Sequence, residues 1–264
     1  MLEKQICLLL RWLGKSLSRN KPAIPQEEWE EILAPHIKRY VPSHADKAPV
    51  ILLMHGCAGD FSHLHKWAGF LAEQGFLAYT VDSLTPRGIS SGMAKCIVCT
   101  GLRLHGGERS RDISAALSII GKDPQADLDK LVFLGWSHGA WTIMEWLLQA
   151  EFYKAFKASG RKIAASIFIY PYCGLASAIH LHAWPHDFPV FFVTAQQDRV
   201  VPNKRTMNFY NNLLKVRGCS LTHTEIEGVA HGFDLFERKN LYNEAKAREL
   251  QALVVDYLKQ TTSR

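Results

Sequence analysis

Ten residues, Leu131-Val-Phe-Leu-Gly-Trp-Ser-His-Gly-Ala140, restrict the fold more than any other stretch of the chain. Leu131 to Leu134 is a short apolar run stopped by glycine, the pattern of a buried strand. Gly135-Trp136-Ser137-His138-Gly139 breaks it, and a helical pattern with Ile143, Met144, Leu147 and Leu148 on one face follows. A serine at the apex of a sharp strand-to-helix turn is a nucleophile elbow. The turn strains the serine backbone, and glycines two residues either side let strand and helix approach without a Cβ between them. The hydroxyl then stands at a helix N-terminus, where the dipole favours developing negative charge. The bare pattern G-x-S-x-G is weak, since chance supplies it roughly once in ten chains of this length. Its surroundings carry the argument.

Those surroundings alternate. Apolar runs at 50–54, 76–81, 131–134, 163–169, 189–194 and 221–226 read as core strands, with an edge strand at 36–42. Helical patterns separate most of them, such as Ile113, Ala116, Leu117 and Ile120, and Leu250, Leu253, Val254 and Tyr257 close the chain. Strand–helix alternation predicts an α/β fold with a mostly parallel sheet covered on both faces. The 264 residues suffice for one large domain and are short for two. We place that domain at 36–264 and an N-terminal helical extension at 1–35. Residues 1–18 of the extension carry an apolar stripe of Leu2, Ile6, Leu9, Leu10, Leu13 and Leu17. Residues 88–107 read as irregular, and the short excursion at 175–188 leaves room for a minimal lid only.

Composition narrows the function classes. The net charge is +6 without a dense basic run, so no nucleic-acid partner is expected. No stretch reaches the ~18 apolar residues of a membrane span. Arg11 interrupts the apolar N-terminus and no small-residue cleavage site follows, so secretion is not expected. Six cysteines in a chain of this size are not a disulfide scaffold, which predicts reduced thiols and a cytoplasmic location. Cys96-Ile-Val-Cys99 lacks the second pair that a structural zinc site needs.

The chemistry gathers in loops beyond the carboxyl ends of the strands. Ser137 stands at the elbow, Asp198 just past strand 189–194, and His231 just past strand 221–226. A serine hydroxyl needs an imidazole to take its proton and a carboxylate to orient that imidazole. The order Ser, Asp, His suits the elbow fold, with Asp234 and Glu227 as fallback acids. The backbone N–H groups of Cys57 and His138 are the candidate oxyanion donors, and the Cys57 thiol is incidental. Arg87 and Arg199 are candidate forks for a substrate carboxylate, and Trp136 and Tyr172 are further candidate substrate contacts. Histidines 55, 63, 65, 180, 182 and 186 crowd the same rim, but the triad needs no metal and none is expected.

His55-Gly-Cys-Ala-Gly59, Asp82-Ser-Leu-Thr-Pro-Arg-Gly88, Gly135-Trp-Ser-His-Gly139, Tyr170-Pro-Tyr-Cys173, Asp198 and His231-Gly-Phe together resemble the dienelactone hydrolase-like family of α/β-hydrolases. The resemblance covers roughly residues 36–258. It implies an α/β-hydrolase fold with about eight strands, a minimal lid, no cofactor, and hydrolysis of a small ester or lactone. It places the nucleophile on Ser137, the acid on Asp198, the base on His231 and the oxyanion amides on Cys57 and His138. The enzymes that give the family its name use a cysteine nucleophile, and this chain has Ser137, which turns the expectation from dienelactone toward a serine carboxylesterase. The rivals are a peptidase or amidase of the prolyl oligopeptidase-like type and a non-catalytic binding protein on the same fold.

Overall fold

The computed structural model describes residues 24–263, apart from 44–45, 60, 100–101, 175–176, 178, 180–181, 202 and 217. The elements run α1 (Gln26–Leu33), β1 (Ile37–Tyr40), β2 (Ala48–Met54), α2 (Phe61–Glu73), β3 (Leu77–Val81), α3 (Ser91–Ile97), α4 (Gly106–Arg109) and α5 (Arg111–Ile120). They continue with β4 (Ala126–Trp136), α6 (His138–Leu148), α7 (Ala150–Ala158), β5 (Ile163–Ile169), β6 (Val190–Ala195), α8 (Asn203–Leu213), β7 (Leu221–Ile226) and α9 (Glu244–Thr262). The sheet order is β1-β3-β2-β4-β5-β6-β7. Among the described strands only β1 runs antiparallel to its neighbour. Among the described residues the sheet therefore has seven strands, one fewer than the resemblance implies. The outer strand β1 turns Lys38 and Arg39 to solvent, and charges on an edge strand discourage further pairing.

The strands are apolar at nearly every position because both faces of the sheet are covered. Val50, Leu52, Met54, Phe133, Phe168 and Phe192 point into one layer, under α1, α5 and α6. Ile51, Leu53, Val132, Leu134, Ile167, Ile169, Phe191 and Val193 point into the other, under α2 and α9. The expected helix faces are the buried ones: Ile113, Ala116, Leu117 and Ile120 in α5, and Leu250, Val254 and Tyr257 in α9. Trp29 and Leu33 of α1 join the first layer, and the Trp29 indole N–H donates to Asp112 at 2.9 Å. The apolar stripe at 1–18 lies outside the described residues.

Three features depart from expectation. The segment read as irregular, 88–107, contains α3 and the start of α4. Ser90 caps α3 by accepting the Met93 N–H at 3.2 Å. Helices of 7 and 4 residues complete two turns at most, too little for a periodic signal. Leu84, Ile89, Ala94, Val98 and Leu104 give this segment a small core of its own. Strand β4 starts at Ala126 rather than 131, with an irregularity where it pairs with β2. Lastly, Cys57 and Cys99 form a disulfide across 42 residues of chain. This corrects the expectation of reduced thiols, and removes for that pair the ground on which a cytoplasmic location was expected.

Candidate active site

The elbow is built as its sequence requires. Ser137 holds φ 50° and ψ −109° between β4 and α6, a left-handed conformation that side chains rarely adopt. Its N–H is anchored to the Ile169 carbonyl of β5 at 2.9 Å. A Cβ on Gly135 would come within 2.6 Å of the Ala140 nitrogen, and one on Gly139 would overlap the Met54 carbonyl. Both glycines are therefore demanded by close approach of α6 to β4 and β2.

His231 Nε2 lies 3.0 Å from Ser137 Oγ. On the other side of the ring, Nδ1 lies 2.6 Å from Asp198 Oδ2. A carboxylate only accepts, so Nδ1 carries the ring proton and Nε2 offers its lone pair to the serine O–H. Asp198 is itself fixed: Oδ1 accepts the N–H groups of Val200 at 2.8 Å and Val201 at 2.9 Å. Both groups are nearly dry, with side-chain exposures of 9% for His231 and 3% for Asp198. Low exposure strengthens the pair against competition from water. Among the described residues no three His, Cys, Asp or Glu side chains converge as metal ligands.

The loop after β2 passes against the elbow, with Gly56 beside Ser137 Cβ and the Trp136 carbonyl. Cys57, from that loop, and His138, at the start of α6, line the same cavity as Ser137. The first N–H groups of a helix have no partner within it, so the His138 amide suits an oxyanion. The cavity measures about 650 Å³. Trp136, Trp141, Tyr170 and Tyr172 form apolar walls, and Lys95, Val98 and Cys99 bring the segment after Ile89 over it.

The two arginines singled out from the sequence are not part of this cavity. Arg87 makes a bidentate pair with Asp112, at 2.9 and 2.8 Å, and stacks on Trp29. The Asp112 side chain is fully buried, so Arg87 is consumed inside the fold. Arg199 is exposed, outside the cavity wall. Trp136 and Tyr172 do line it. The fallback acid Asp234 is buried elsewhere: it accepts from Tyr170 Oη at 2.6 Å and Trp136 Nε1 at 2.8 Å, and lies 3.3 Å from His63 Nε2. Glu227 is exposed. The rim histidines serve separate partners. His55 bonds the Gly56 carbonyl and the Ser83 N–H, His65 bonds Tyr40, and His186 bonds the Leu147 carbonyl. His182 is exposed, and His180 lies outside the described residues.

A sequence model of the dienelactone hydrolase family matches residues 38–262. The chain belongs to the dienelactone hydrolase family. This membership makes it an ester-bond hydrolase of the α/β-hydrolase type. No curated protein matches the chain significantly. Among solved structures, a Klebsiella pneumoniae protein assigned to the dienelactone hydrolases superposes with a TM-score of 0.68 at 15% identity, over 85% of this chain and 92% of its own. Esterase 2 of Thermogutta terrifontis with propionate bound gives 0.62 at 16% identity, over 85% and 88%. Dipeptidyl peptidase 4 of Porphyromonas gingivalis gives 0.62 at 17% identity, over 85% of this chain but 33% of its own. At these identities the likeness is one of fold. No described helix of this dienelactone hydrolase family member is long and apolar enough to cross a membrane.

Sequence reasoning passed over three residues that the fold brings to the site. Tyr170, left-handed at φ 34°, packs its ring 4.5 Å from that of His231. Cys99 joins Cys57 through the disulfide. Arg109 lies buried behind the β2 loop and α6. The motif Tyr170-Pro-Tyr-Cys173 hinted at the first, the spacing of Cys96-Ile-Val-Cys99 drew attention to the second without its partner, and no local pattern marks Arg109.

Proposed function

We propose that the protein is a serine carboxylesterase acting on small esters or lactones through an acyl-enzyme. Ser137 Oγ attacks the ester carbonyl carbon while its proton passes to His231 Nε2. The carbonyl oxygen becomes an oxyanion, held by the Cys57 and His138 amides, a contribution of about 3 kcal/mol per donor. Collapse of the adduct breaks the ester C–O bond, and His231 returns the proton to the leaving alcohol. Water then repeats the sequence from the other side: His231 takes its proton, the acyl–serine bond breaks, and the acid leaves with Ser137 regenerated. Asp198 keeps the imidazole in the right tautomer and stabilises its charged form.

The observation that carries this reading is the unbroken chain Ser137 Oγ, His231, Asp198 at 3.0 and 2.6 Å. Cavity size and walls support a compact substrate with an apolar or aromatic acyl group. Lys95 and Arg238 line the cavity, and no described carboxylate does, which favours esters carrying negative charge over cationic ones. Thermogutta esterase 2 is phosphonylated by sarin and cyclosarin, and the same chemistry is expected at Ser137.

The test is labelling with a fluorophosphonate, with the modified residue identified by mass spectrometry. A hydrolysis panel of esters graded in chain length and charge, with lactones and peptide amides, accompanies it. Labelling at Ser137 and turnover of esters above amides supports the proposal. Absence of labelling in folded protein overturns it in favour of a binding protein, and turnover of amides above esters overturns it in favour of a peptidase.

A further inference from the structure

We propose that Arg109 is the positioning residue of the oxyanion hole, a single guanidinium tying together the two chain segments that carry its amides. The inference rests on the esterase reading above and concerns how that site is held. The two amides come from different elements: Cys57 follows β2, and His138 opens α6. The β2–β4 ladder holds the two segments together only as far as Met54 and Gly135, and both amides lie beyond it. An oxyanion hole works only if its donors are set in advance around the place where charge develops.

Arg109 spans that gap. Its Nη1 donates to the His55 carbonyl at 2.8 Å, two residues before Cys57. The same nitrogen lies 3.1 Å from His138 Nδ1. Its Nε donates to Ser83 Oγ at 2.8 Å, and the Ser83 N–H in turn reaches His55 Nε2 at 3.2 Å. An arginine has no acceptor, so Nη1 must be the donor toward His138. This fixes the His138 tautomer: Nδ1 bears no proton, and the proton of the neutral ring sits on Nε2. The His138 pKa agrees, held well below the ordinary value by burial and by the Arg109 charge.

The placement is costly, which is why it calls for a function. Arg109 is wholly buried. Its three hydrogen-bond partners are neutral, and Nη2 has none among the described residues. The neighbouring carboxylate of Asp112 is already engaged by Arg87 and Trp29. A buried cation without a direct counter-ion is disfavoured. Burial pulls its pKa down to about 9, and it stays charged at neutral pH. Packing confirms that the position is specific. A Cβ on Gly106, one turn earlier in α4, would come within 2.7 Å of the Trp141 ring, so α4 is pressed onto α6 and Arg109 enters at a fixed depth. A point-charge ammonium cannot reproduce two directed bonds from one planar nitrogen.

Three measurements decide the matter. In Arg109→Lys and Arg109→Met, kcat for a neutral ester falls about 10²-fold, as expected when donors are displaced by about an ångström, while KM changes less than about threefold. Inhibition by a boronic acid, which forms a tetrahedral adduct on Ser137, weakens in parallel with kcat/KM. A structural role alone would lower the amount of folded enzyme and leave the kcat per labelled site and the boronate affinity unchanged, which overturns the proposal. Should both variants fail to fold, nitrogen-15 NMR of wild-type histidines still tests it: His138 must be unprotonated at Nδ1, and a proton found there overturns it. Wild-type labelling by fluorophosphonate separates the two readings. A wild type that is not labelled sinks the esterase proposal, whereas a labelled wild type with fully active Arg109 variants sinks only this one.

Discussion

Cys57, the first candidate oxyanion donor, is disulfide-bonded to Cys99, and both residues line the cavity that contains Ser137. The bond straps the segment carrying Lys95 and Val98 to the loop facing the nucleophile. Closing a loop of this length stabilises a fold by ~2–4 kcal/mol. Reduction with dithiothreitol, or Cys99→Ser, should therefore lower the unfolding free energy by that amount and raise KM, because the cavity wall is no longer tethered. Equal melting temperature and KM in oxidised and reduced protein, with two extra thiols counted after reduction, would refute this.

The strained backbone at Ser137 separates catalysis from stability. Ser137→Ala should lose at least ~10⁴-fold in kcat with little change in melting temperature. Ser137→Gly should be equally inactive yet more stable than Ser137→Ala by ~1 kcal/mol, since glycine accepts the left-handed conformation without strain. Denaturant titration of the two variants gives the answer.

Asp198 bonds His231 directly, whereas Asp234 bonds Tyr170 and Trp136, and the two should behave differently. Asp198→Asn leaves His231 without its orienting acceptor, and kcat should fall ~10²–10⁴-fold with the fold intact. Asp234→Asn disturbs the acceptor of Tyr170 and Trp136, and should cost ~1–3 kcal/mol in stability with a smaller loss of turnover. If the losses in kcat were reversed, the acid would be Asp234.

His55 and His138 are both held well below the ordinary imidazole value of 6.5, chiefly by burial and then by the Arg109 charge. A base with a depressed folded pKa keeps its full contribution above the unfolded value and loses it as pH falls below. The unfolded chain takes up protons that the folded chain refuses. Stability should accordingly decline below about pH 6.5, by roughly 1.4 kcal/mol per pH unit for each of the two groups. Urea titrations between pH 7 and 5 measure the slope, and His55→Asn should reduce it. A flat profile over that range would contradict the buried, neutral assignment.

Arg87 is tied to Asp112 rather than to substrate. Arg87→Ala should destabilise the protein by ~3–5 kcal/mol, because it strands a buried carboxylate. The KM ratio of anionic to neutral esters should not move. A selective rise in KM for the anionic esters would return Arg87 to the binding site.

The sequence alone determined the fold class and picked out the three groups that are proposed to react. Apolar runs such as Val50 to Met54 and Ile163 to Ile169 read as strands because both sheet faces are dry, and glycines 135 and 139 mark a turn whose geometry admits no Cβ. Ser137, Asp198 and His231 were legible because a parallel sheet delivers the ends of its strands to one edge, so strand order stands in for distance. Tertiary structure decided what local pattern does not encode. Asp234 lies three residues from His231 in the chain and Asp198 lies 33 away, yet it is Asp198, held by the Val200 and Val201 N–H groups, that meets the imidazole, while Asp234 is taken up by the indole of Trp136. The pairing of Cys57 with Cys99 and the reach of Arg109 to His55 and His138 join residues that are 29 to 54 positions apart. Such contacts follow from how helices pack across the sheet. Short helices such as Ser91–Ile97 and Gly106–Arg109 carry too little periodicity to announce that packing in advance.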